Sequence, residues 1–265
     1  MRKGRLAFAL ACCSALGCVG AGVGSSQMTE NERKTMVGDA PEDPGPLAKD
    51  LSPAVRPAAI QAAMRKVADW QTPRIADKPS QDWTFATLYV GLLSASDTLK
   101  VPVYRDAVRK VADHYDWTLG PRRMHADDQA IGQSYLWLNH EQPNPHDLEA
   151  LHKQFDDVMQ APDDPKKPVW WWCDALFMAP PVWAGLAATT HDPRYLSYMN
   201  HEWQVTNELL WDKDEKLFFR DNSYFEKREK NGKKIFWSTR TRPPITQPLP
   251  LDQKIFLPFF SRFSK

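Results

Sequence analysis

The spacing of apolar and polar positions predicts a run of α-helices from about residue 52 to residue 211. Segments that are apolar nearly all round, which is typical of buried helices, begin near residues 82, 125 and 173. Amphipathic segments, such as 102–117 and 145–160, alternate with them. This alternation indicates repeated α-hairpins. We therefore predict an all-α fold, an α/α toroid with an inner ring of buried helices and an outer ring of amphipathic helices.

A toroid of this kind brings the starts of its inner helices to one end of the barrel, here called the mouth. Polar and aromatic residues stand at all three predicted starts and would meet there: Asp82, Trp83, His125, Asp127, Asp128, Trp172 and Asp174. After residue 211 the pattern changes to two predicted strands around an Asn231–Gly232 turn, a small β-hairpin near 215–237. Such a hairpin is a plausible cover for the mouth.

The N-terminal 26 residues have the order basic, apolar, small that marks a secretory signal peptide. The apolar stretch is too short and too rich in glycine for a transmembrane helix, so no membrane span is expected. The segment "ALGC" at 15–18 matches a lipoprotein cleavage box only in part, and a lipid on Cys18 stays open as the alternative. We expect an exported protein, periplasmic or extracellular, with lipid anchoring as a variant.

Composition divides the rest of the chain. Residues 27–51 are polar and proline-rich, which predicts a flexible leader. Residues 52–238 carry the helical pattern, and residues 239–265 have neither a helical nor a clean strand period. The formal net charge is +1, so no general electrostatic attraction to nucleic acid is predicted. The 11 tryptophans suit core packing, and beside polar residues they also suit stacking on sugar rings.

The stretch "WWWCDALFMAPP" raises the question of what Asp174 does behind three tryptophans. One interpretation is a helix N-cap, because aspartate is a preferred cap residue. The other is a general acid, because indole neighbours would desolvate the carboxyl group and raise its proton affinity. Cys173 is interpreted as core packing, since no base is assigned to it.

The stretch "HADDQAIG" contains the second candidate site. Asp127 and Asp128 either cap the helix and interact with its dipole or supply a carboxylate to the cleft. Two carboxylates from different inner helices are what glycosidic-bond chemistry uses. His125 is a candidate hydrogen-bond donor to substrate, with a capping role as the alternative. No pattern of metal ligands or of cofactor binding is found, so neither is expected.

Six motifs, among them "DWTFATLYVGLL", "HADDQAIGQSYL", "WWWCDALFMAPP" and "LFFRDNSYF", resemble in order those of the unsaturated rhamnogalacturonyl hydrolases. These enzymes form glycoside hydrolase family 105, related to the unsaturated glucuronyl hydrolases of family 88. The resemblance covers residues 55–238 and implies an (α/α)6 barrel. It also implies a partner, a pectin-type oligosaccharide that a lyase has left with a 4,5-unsaturated uronic acid at its non-reducing end.

By the same resemblance Asp174 is the acid/base that protonates the C4=C5 double bond while water adds at C5. Asp127 matches the family's second acid, and Asp128 is the alternative. Substrate contacts are expected from residues around the mouth: Trp83, His125, Asp128, Trp171, Trp172, Met178, Arg220 and Trp237. Arg220, or Arg240 from the C-terminal segment, is the candidate partner of the substrate carboxylate.

The resemblance stops after Ser238, where "TRTRPPITQPLPLDQ" follows "FWS". We expect that residues 239–265 do not continue the barrel and that the chain holds roughly the N-terminal half of a toroid. An open ring would expose apolar flanks of its end helices, which predicts low solubility and no measurable hydrolysis. The alternatives to an active enzyme are therefore an inactive family member and a uronide-binding protein without catalysis.

Overall fold

The computed structural model describes residues 50–162 and 167–237. All of them belong to one structural unit, Ala48–Lys265, and the other unit, Met1–Leu47, lies outside the described residues. The helices of the described ranges are α1 (Pro57–Asp77), α2 (Trp83–Leu99), α3 (Pro102–His114), α4 (Ala126–Gln129), α5 (Gly132–Glu141), α6 (Glu149–Met159), α7 (Ala175–Met178), α8 (Pro180–Thr190) and α9 (Pro193–Leu210). Strands β1 (Trp211–Asp212) and β2 (Leu217–Phe218) pair antiparallel, and 3-10 turns occupy Pro145–Leu148 and Asn222–Tyr224.

The helix boundaries follow local sequence signals. Helices α1, α3 and α9 each begin with a proline at the first turn, where no backbone N–H is required. Asp192 also caps α9, because its side chain accepts a hydrogen bond from the Arg194 N–H at 2.9 Å. Helices α2 and α8 end at residues in the left-handed conformation, Lys100 and His191. The predicted helical run is confirmed.

The buried helices form an inner row, with α5 packed against both α2 and α8. The amphipathic helices lie outside this row, since α3 packs on α2 and α5, and α9 packs on α8. Helices α5 and α8 approach closely at Gly132, where a Cβ atom would come within 2.6 Å of Val182 Cγ1. The alternation predicted from the apolar pattern therefore corresponds to two helical layers.

Two of the predicted inner helices are interrupted, which corrects their expected continuity. The segment predicted from residue 125 divides into α4 and α5, and the bonds around Ala130 connect residues three apart, as in a 3-10 turn. The segment predicted from residue 173 divides into α7 and α8 before Pro180 and Pro181, which have no N–H to continue the helix. The inner helices α5 and α8 are thus each preceded by a separate single turn.

The expected small β-hairpin is present, but its paired strands lie earlier in the chain than predicted. Strands β1 and β2 pair across residues 213–216, and the predicted Asn231–Gly232 turn is closed by one isolated bridge, Arg228↔Lys234. Gly232 has a φ of +82°, which suits glycine at this turn. The segment on either side of the turn is exposed and highly charged, so few apolar pairs hold longer strands together.

Several expectations fall on residues outside the described ranges: the signal peptide, most of the leader, the tail after residue 237 and Arg240. Within the described ranges, no helix combines the length and the apolar character that crossing a membrane requires.

Candidate active site

The two candidate carboxylates come from the two single-turn helices. Asp127 lies in α4 and Asp174 stands immediately before α7, and α4 packs against α7. The two carboxylates are close enough to interact electrostatically. The structure therefore places Asp127 and Asp174 at the starts of neighbouring inner helices, within electrostatic reach of each other.

Asp127 is partly buried, and its surroundings favour the protonated form. Burial raises the pKa of Asp127 above its ordinary value, and the carboxylates of Asp128 and Asp174 raise it further. His125 and Arg122 act in the opposite direction. Asp127 therefore retains a proton to higher pH than an ordinary aspartate, which suits a group that takes part in proton transfer.

Asp128 is buried and bound to Arg122. The Arg122 Nε lies 3.1 Å from both carboxylate oxygens, Nη2 contacts Oδ1, and the Arg122 backbone N–H donates to Oδ2 at 2.8 Å. The Gly120 N–H donates to the Asp128 carbonyl at 3.0 Å. Gly120 lies so close that a Cβ atom there would approach the Asp128 Cγ to 2.7 Å. These bonds fix the loop before α4 and argue against direct contact between Asp128 and a sugar.

His125 occupies the N-cap position of α4, and its side chain makes no capping bond. Its ring lies 4.5 Å from that of Trp172, and its Nδ1 lies 3.7 Å from Asp127 Oδ2. Burial lowers the pKa of His125, and the charge of Arg122 lowers it further, so the imidazole is neutral at pH 7. The buried Nδ1 has no hydrogen-bond partner among the described residues and faces the Asp127 carboxylate.

Asp174 occupies the N-cap position of α7, but its carboxylate makes no capping bond. Asp174 therefore stands at the predicted N-cap position, but its side chain does not accept the hydrogen bond that an N-cap residue usually accepts. The Cys173 Sγ lies 3.3 Å from Asp174 Oδ1, and the Cys173 backbone N–H donates to the Arg220 carbonyl at 2.8 Å. Burial raises the pKa of Cys173 to about 12, so the thiol stays protonated and cannot act as a nucleophile near neutral pH.

The three tryptophans before Asp174 have different environments. Trp170 and Trp172 belong to the core, whereas Trp171 is 45% exposed. The Trp171 ring lies 4.7 Å from Trp172 and 6.5 Å from His125. Trp171 therefore offers an accessible indole beside His125, and Trp172 packs against the His125 ring.

Arg220, the expected partner of a substrate carboxylate, is engaged elsewhere. Its guanidinium contacts the carboxylate of Asp221, which is buried, and lies 4.9 Å from the Trp237 ring centre. Although burial opposes ionisation, bonds from Ser223 and Arg220 lower the pKa of Asp221, so this pair is charged. Its arrangement argues against a free cationic group at Arg220.

The remaining sequence candidates separate into accessible and buried residues. Trp83 and Trp237 are exposed, whereas Met178 is buried and its carbonyl accepts a bond from the Gln133 side chain at 3.2 Å. Its burial argues against Met178 as a substrate contact. Sequence reasoning missed Arg122, although two arginines directly precede "MHADD" and could have signalled a cation beside the carboxylates.

The chain is similar to known glycoside hydrolases. The model of the family described as Glycosyl Hydrolase Family 88 matches residues 58–241. An unsaturated 3S-rhamnoglycuronyl hydrolase of Formosa agariphila is 38% identical over 68% of this chain and 52% of the relative. A protein of the same name from an Alteromonas species is 30% identical over 63% of this chain and 45% of the relative. The chain spans about half the length of these curated relatives.

Solved structures give the same fold. A family 88 glycosyl hydrolase from Bacteroides vulgatus superposes with a TM-score of 0.60 at 19% identity, over 77% of this chain and 66% of the other. A family 105 glycoside hydrolase from C. acetobutylicum gives a TM-score of 0.53 at 18% identity, over 67% of this chain and 54% of the other. The helical layers therefore correspond to part of an (α/α)6 barrel, which confirms the predicted fold class.

Proposed function

The chain belongs to glycosyl hydrolase family 88, and from this premise we propose that it releases a 4,5-unsaturated uronic acid from the non-reducing end of an oligosaccharide. The observation that carries the proposal is the pair of carboxylates, Asp127 and Asp174, beside the accessible indole of Trp171. A carboxyl pair supplies proton transfer, and an indole supplies a stacking surface for a sugar ring. The geometry thus suits a glycosidic substrate.

The proposed reaction begins with proton transfer to C4 of the double bond, while water adds at C5 and gives up a proton to the carboxylate pair. The resulting hemiketal opens, and the glycosidic bond breaks. Asp174 has the acid/base role that the family resemblance implies. The raised pKa of Asp127 means that its carboxyl keeps a proton to higher pH than an ordinary aspartate, which supports its part in proton transfer.

The sugar next to the unsaturated residue is proposed to be rhamnose. Two relatives are named unsaturated 3S-rhamnoglycuronyl hydrolases, and the motif resemblance also points to a rhamnose-containing chain. Two substrates are to be compared: a 3S-rhamnoglycuronyl disaccharide, as in the relatives' names, and a pectin-type rhamnogalacturonyl disaccharide. Parallel assays on both disaccharides would decide between them.

The direct test is the loss of ultraviolet absorbance when the conjugated C4=C5 bond of an unsaturated disaccharide is consumed. Asp174→Asn should reduce turnover by about 10²–10⁴-fold, the usual contribution of a general acid, while the far-ultraviolet circular dichroism stays unchanged. Asp127→Asn should also reduce turnover, and its pH profile should lose the limb that reports the titration of Asp127. Full activity of the Asp174→Asn protein would contradict the assignment.

The same assay addresses the alternatives. Turnover by the 265-residue chain would contradict the expectation of an inactive, poorly soluble fragment. Binding of the disaccharide without turnover would support a uronide-binding protein instead. Absence of both would contradict the proposed function.

Export is proposed on the basic–apolar–small order of residues 1–26. N-terminal sequencing of the protein from cells should find a start near residue 27. A protein that begins at Met1 would contradict export by cleavage, and a lipid on Cys18 would support the anchored variant.

A further inference from the structure

We propose that Arg122 binds the carboxylate of the unsaturated uronic acid and so positions its double bond between Asp127 and Asp174. This role rests on the proposed function. It assigns recognition of the substrate carboxylate to a residue that lies outside the motifs quoted above. Arg122 lies in the loop between α3 and α4, directly before the "HADD" segment.

The orientation of Arg122 is fixed by a buried partner. Asp128 receives bonds from the Nε, the Nη2 and the backbone N–H of Arg122. The Nη1 group takes no part in these bonds. The Asp128 side chain is 9% exposed and that of Arg122 is 58% exposed, so a buried carboxylate holds an arginine side chain that stays largely accessible. A planar guanidinium held in this way is preorganised to receive a second carboxylate.

Arg122 lies among the groups of the candidate active site. Its carbonyl accepts the His125 N–H at 2.8 Å, and its guanidinium interacts electrostatically with Asp82, Asp127 and His125. Asp82 stands at the start of α2 and Asp127 at the start of α4. The guanidinium is therefore near two inner-helix starts at once.

Charge explains why a cation is required there. The site already contains the carboxyl groups of Asp82, Asp127 and Asp174, and a uronate would bring another negative charge into it. Repulsion would weaken binding unless a cation offsets it. Among the sequence candidates, Arg220 is already held by Asp221 and Trp237. Arg122 is the more accessible of the two arginines, at 58% against 33% side-chain exposure.

The position of the substrate carboxylate links the proposed role of Arg122 to the proton transfer. The carboxylate of the unsaturated sugar is attached to C5, one bond from the double bond that must accept a proton. A guanidinium that holds the carboxylate therefore fixes where C4 and C5 lie relative to Asp127 and Asp174. Correct placement of reacting atoms contributes strongly to rate. Arg122 is a binding and positioning residue in this scheme, and the carboxyl pair transfers the proton.

The test compares two probes on a background that cannot consume them. All proteins carry Asp174→Asn, and calorimetry measures the affinity for an unsaturated uronide disaccharide and for its C6 methyl ester. Arg122→Lys keeps a charge but removes the fork. Arg122→Gln combined with Asp128→Asn removes both members of the buried pair, so that no unpaired charge remains to unfold the protein. Arg123→Gln is the matched control, because Arg123 is the next residue and pairs with Asp157 instead.

Both Arg122 variants should bind the free acid about 10- to 100-fold more weakly, as expected for lost bonds to a charged group. Their affinity for the methyl ester should change by less than about two-fold, and the Arg123→Gln control should match the background for both probes. Equal weakening for acid and ester would overturn the role, and so would selective loss of acid binding in Arg220→Gln. If the background protein binds neither probe, the proposed function fails, and this role fails with it.

Discussion

Two arginine–aspartate pairs flank the candidate active site, and each is connected to one of its carboxylates. Arg122 binds Asp128, the sequence neighbour of Asp127, through the backbone N–H, Nε and Nη2. Asp128 belongs to the same short helix as Asp127. The first pair therefore holds the helical turn that carries Asp127 through side-chain bonds.

The second pair works through the backbone. Arg220 contacts Asp221 with one nitrogen and lies over Trp237, and neither contact reaches Asp174. The link to the site is the bond from the Cys173 N–H to the Arg220 carbonyl, at 2.8 Å. The position of Asp174 thus depends on where the Arg220 backbone lies and much less on the arginine side chain.

The difference explains why similar pairs should respond differently to substitution. A side-chain anchor is lost when the side chain is replaced, whereas a backbone anchor survives as long as the local fold does. Much of the Arg122 side chain also stays accessible, whereas the Arg220 guanidinium lies against the ring of Trp237. The first pair can therefore contribute to binding as well as to stability.

The largest expected difference concerns removal of each arginine. Arg122→Gln should lower the free energy of unfolding by about 3–5 kcal/mol, because it leaves the buried Asp128 without its main partner. Arg220→Gln should cost about 1–3 kcal/mol, since it removes a single bond to Asp221. Denaturant unfolding monitored by circular dichroism measures both. An equal loss of unfolding free energy in both variants would contradict the difference between the two arginine–aspartate pairs.

The next effect is steric and compares a glycine packed against Asp128 with a glycine on an open surface of α2. Gly120→Ala should cost about 1–3 kcal/mol, because its Cβ atom would approach Asp128 Cγ to 2.7 Å and displace the loop. Gly91→Ala in α2 is the control. Nothing lies within 4 Å of its Cβ position, so alanine should stabilise the helix by about 0.5–1 kcal/mol. Thermal melts of the two variants should shift in opposite directions.

A smaller effect concerns the indole next to Asp174. Trp171→Ala should weaken binding of the unsaturated disaccharide about 2- to 10-fold, which corresponds to the loss of one stacking contact. The melting temperature should stay nearly constant, because the Trp171 side chain is 45% exposed. Calorimetry and a thermal melt separate the two contributions. Unaltered affinity would exclude Trp171 from the binding surface.

The smallest effect is a pH-dependent change in stability at Asp127. Its folded-state pKa lies above the ordinary value of 3.8, so the protonated carboxyl stabilises the fold at acidic pH and this contribution is lost as the pH rises through the folded pKa. Asp127→Asn should therefore melt slightly higher than the parent at pH 7, with no difference below pH 3.8.

The adjacent aspartate provides the control for this experiment. Asp128→Asn should melt lower than the parent at pH 7, because Arg122 loses its charged partner. Melting curves recorded from pH 3 to pH 8 would reveal both trends. A destabilised Asp127→Asn protein at neutral pH would show that favourable contacts hold the Asp127 carboxylate and would contradict its raised pKa.

Much of the fold could be predicted from the amino-acid sequence, because apolar periodicity is a local property. The helical run and its alternation between buried and half-exposed segments follow from that period alone. The position of the strand pair could not be predicted in the same way. The Asn231–Gly232 turn gave the stronger local signal, but its flanking residues are exposed and charged and form only one isolated bridge, whereas β1 and β2 pair across residues 213–216. The breaks before α5 and α8 were also missed, although Pro180 and Pro181 gave a signal for the second.

The sequence by itself determined the family, the helical layers and the two carboxylates, because each depends on residues that are contiguous or regularly spaced. Only the tertiary structure decided which of two adjacent aspartates faces the site and which tryptophan remains accessible. At a helix start, neighbouring side chains point in different directions, and their environments depend on loops that are distant in the chain. Arg122 and Arg220 acquire their different roles in the same way, from the partners that folding brings to each of them.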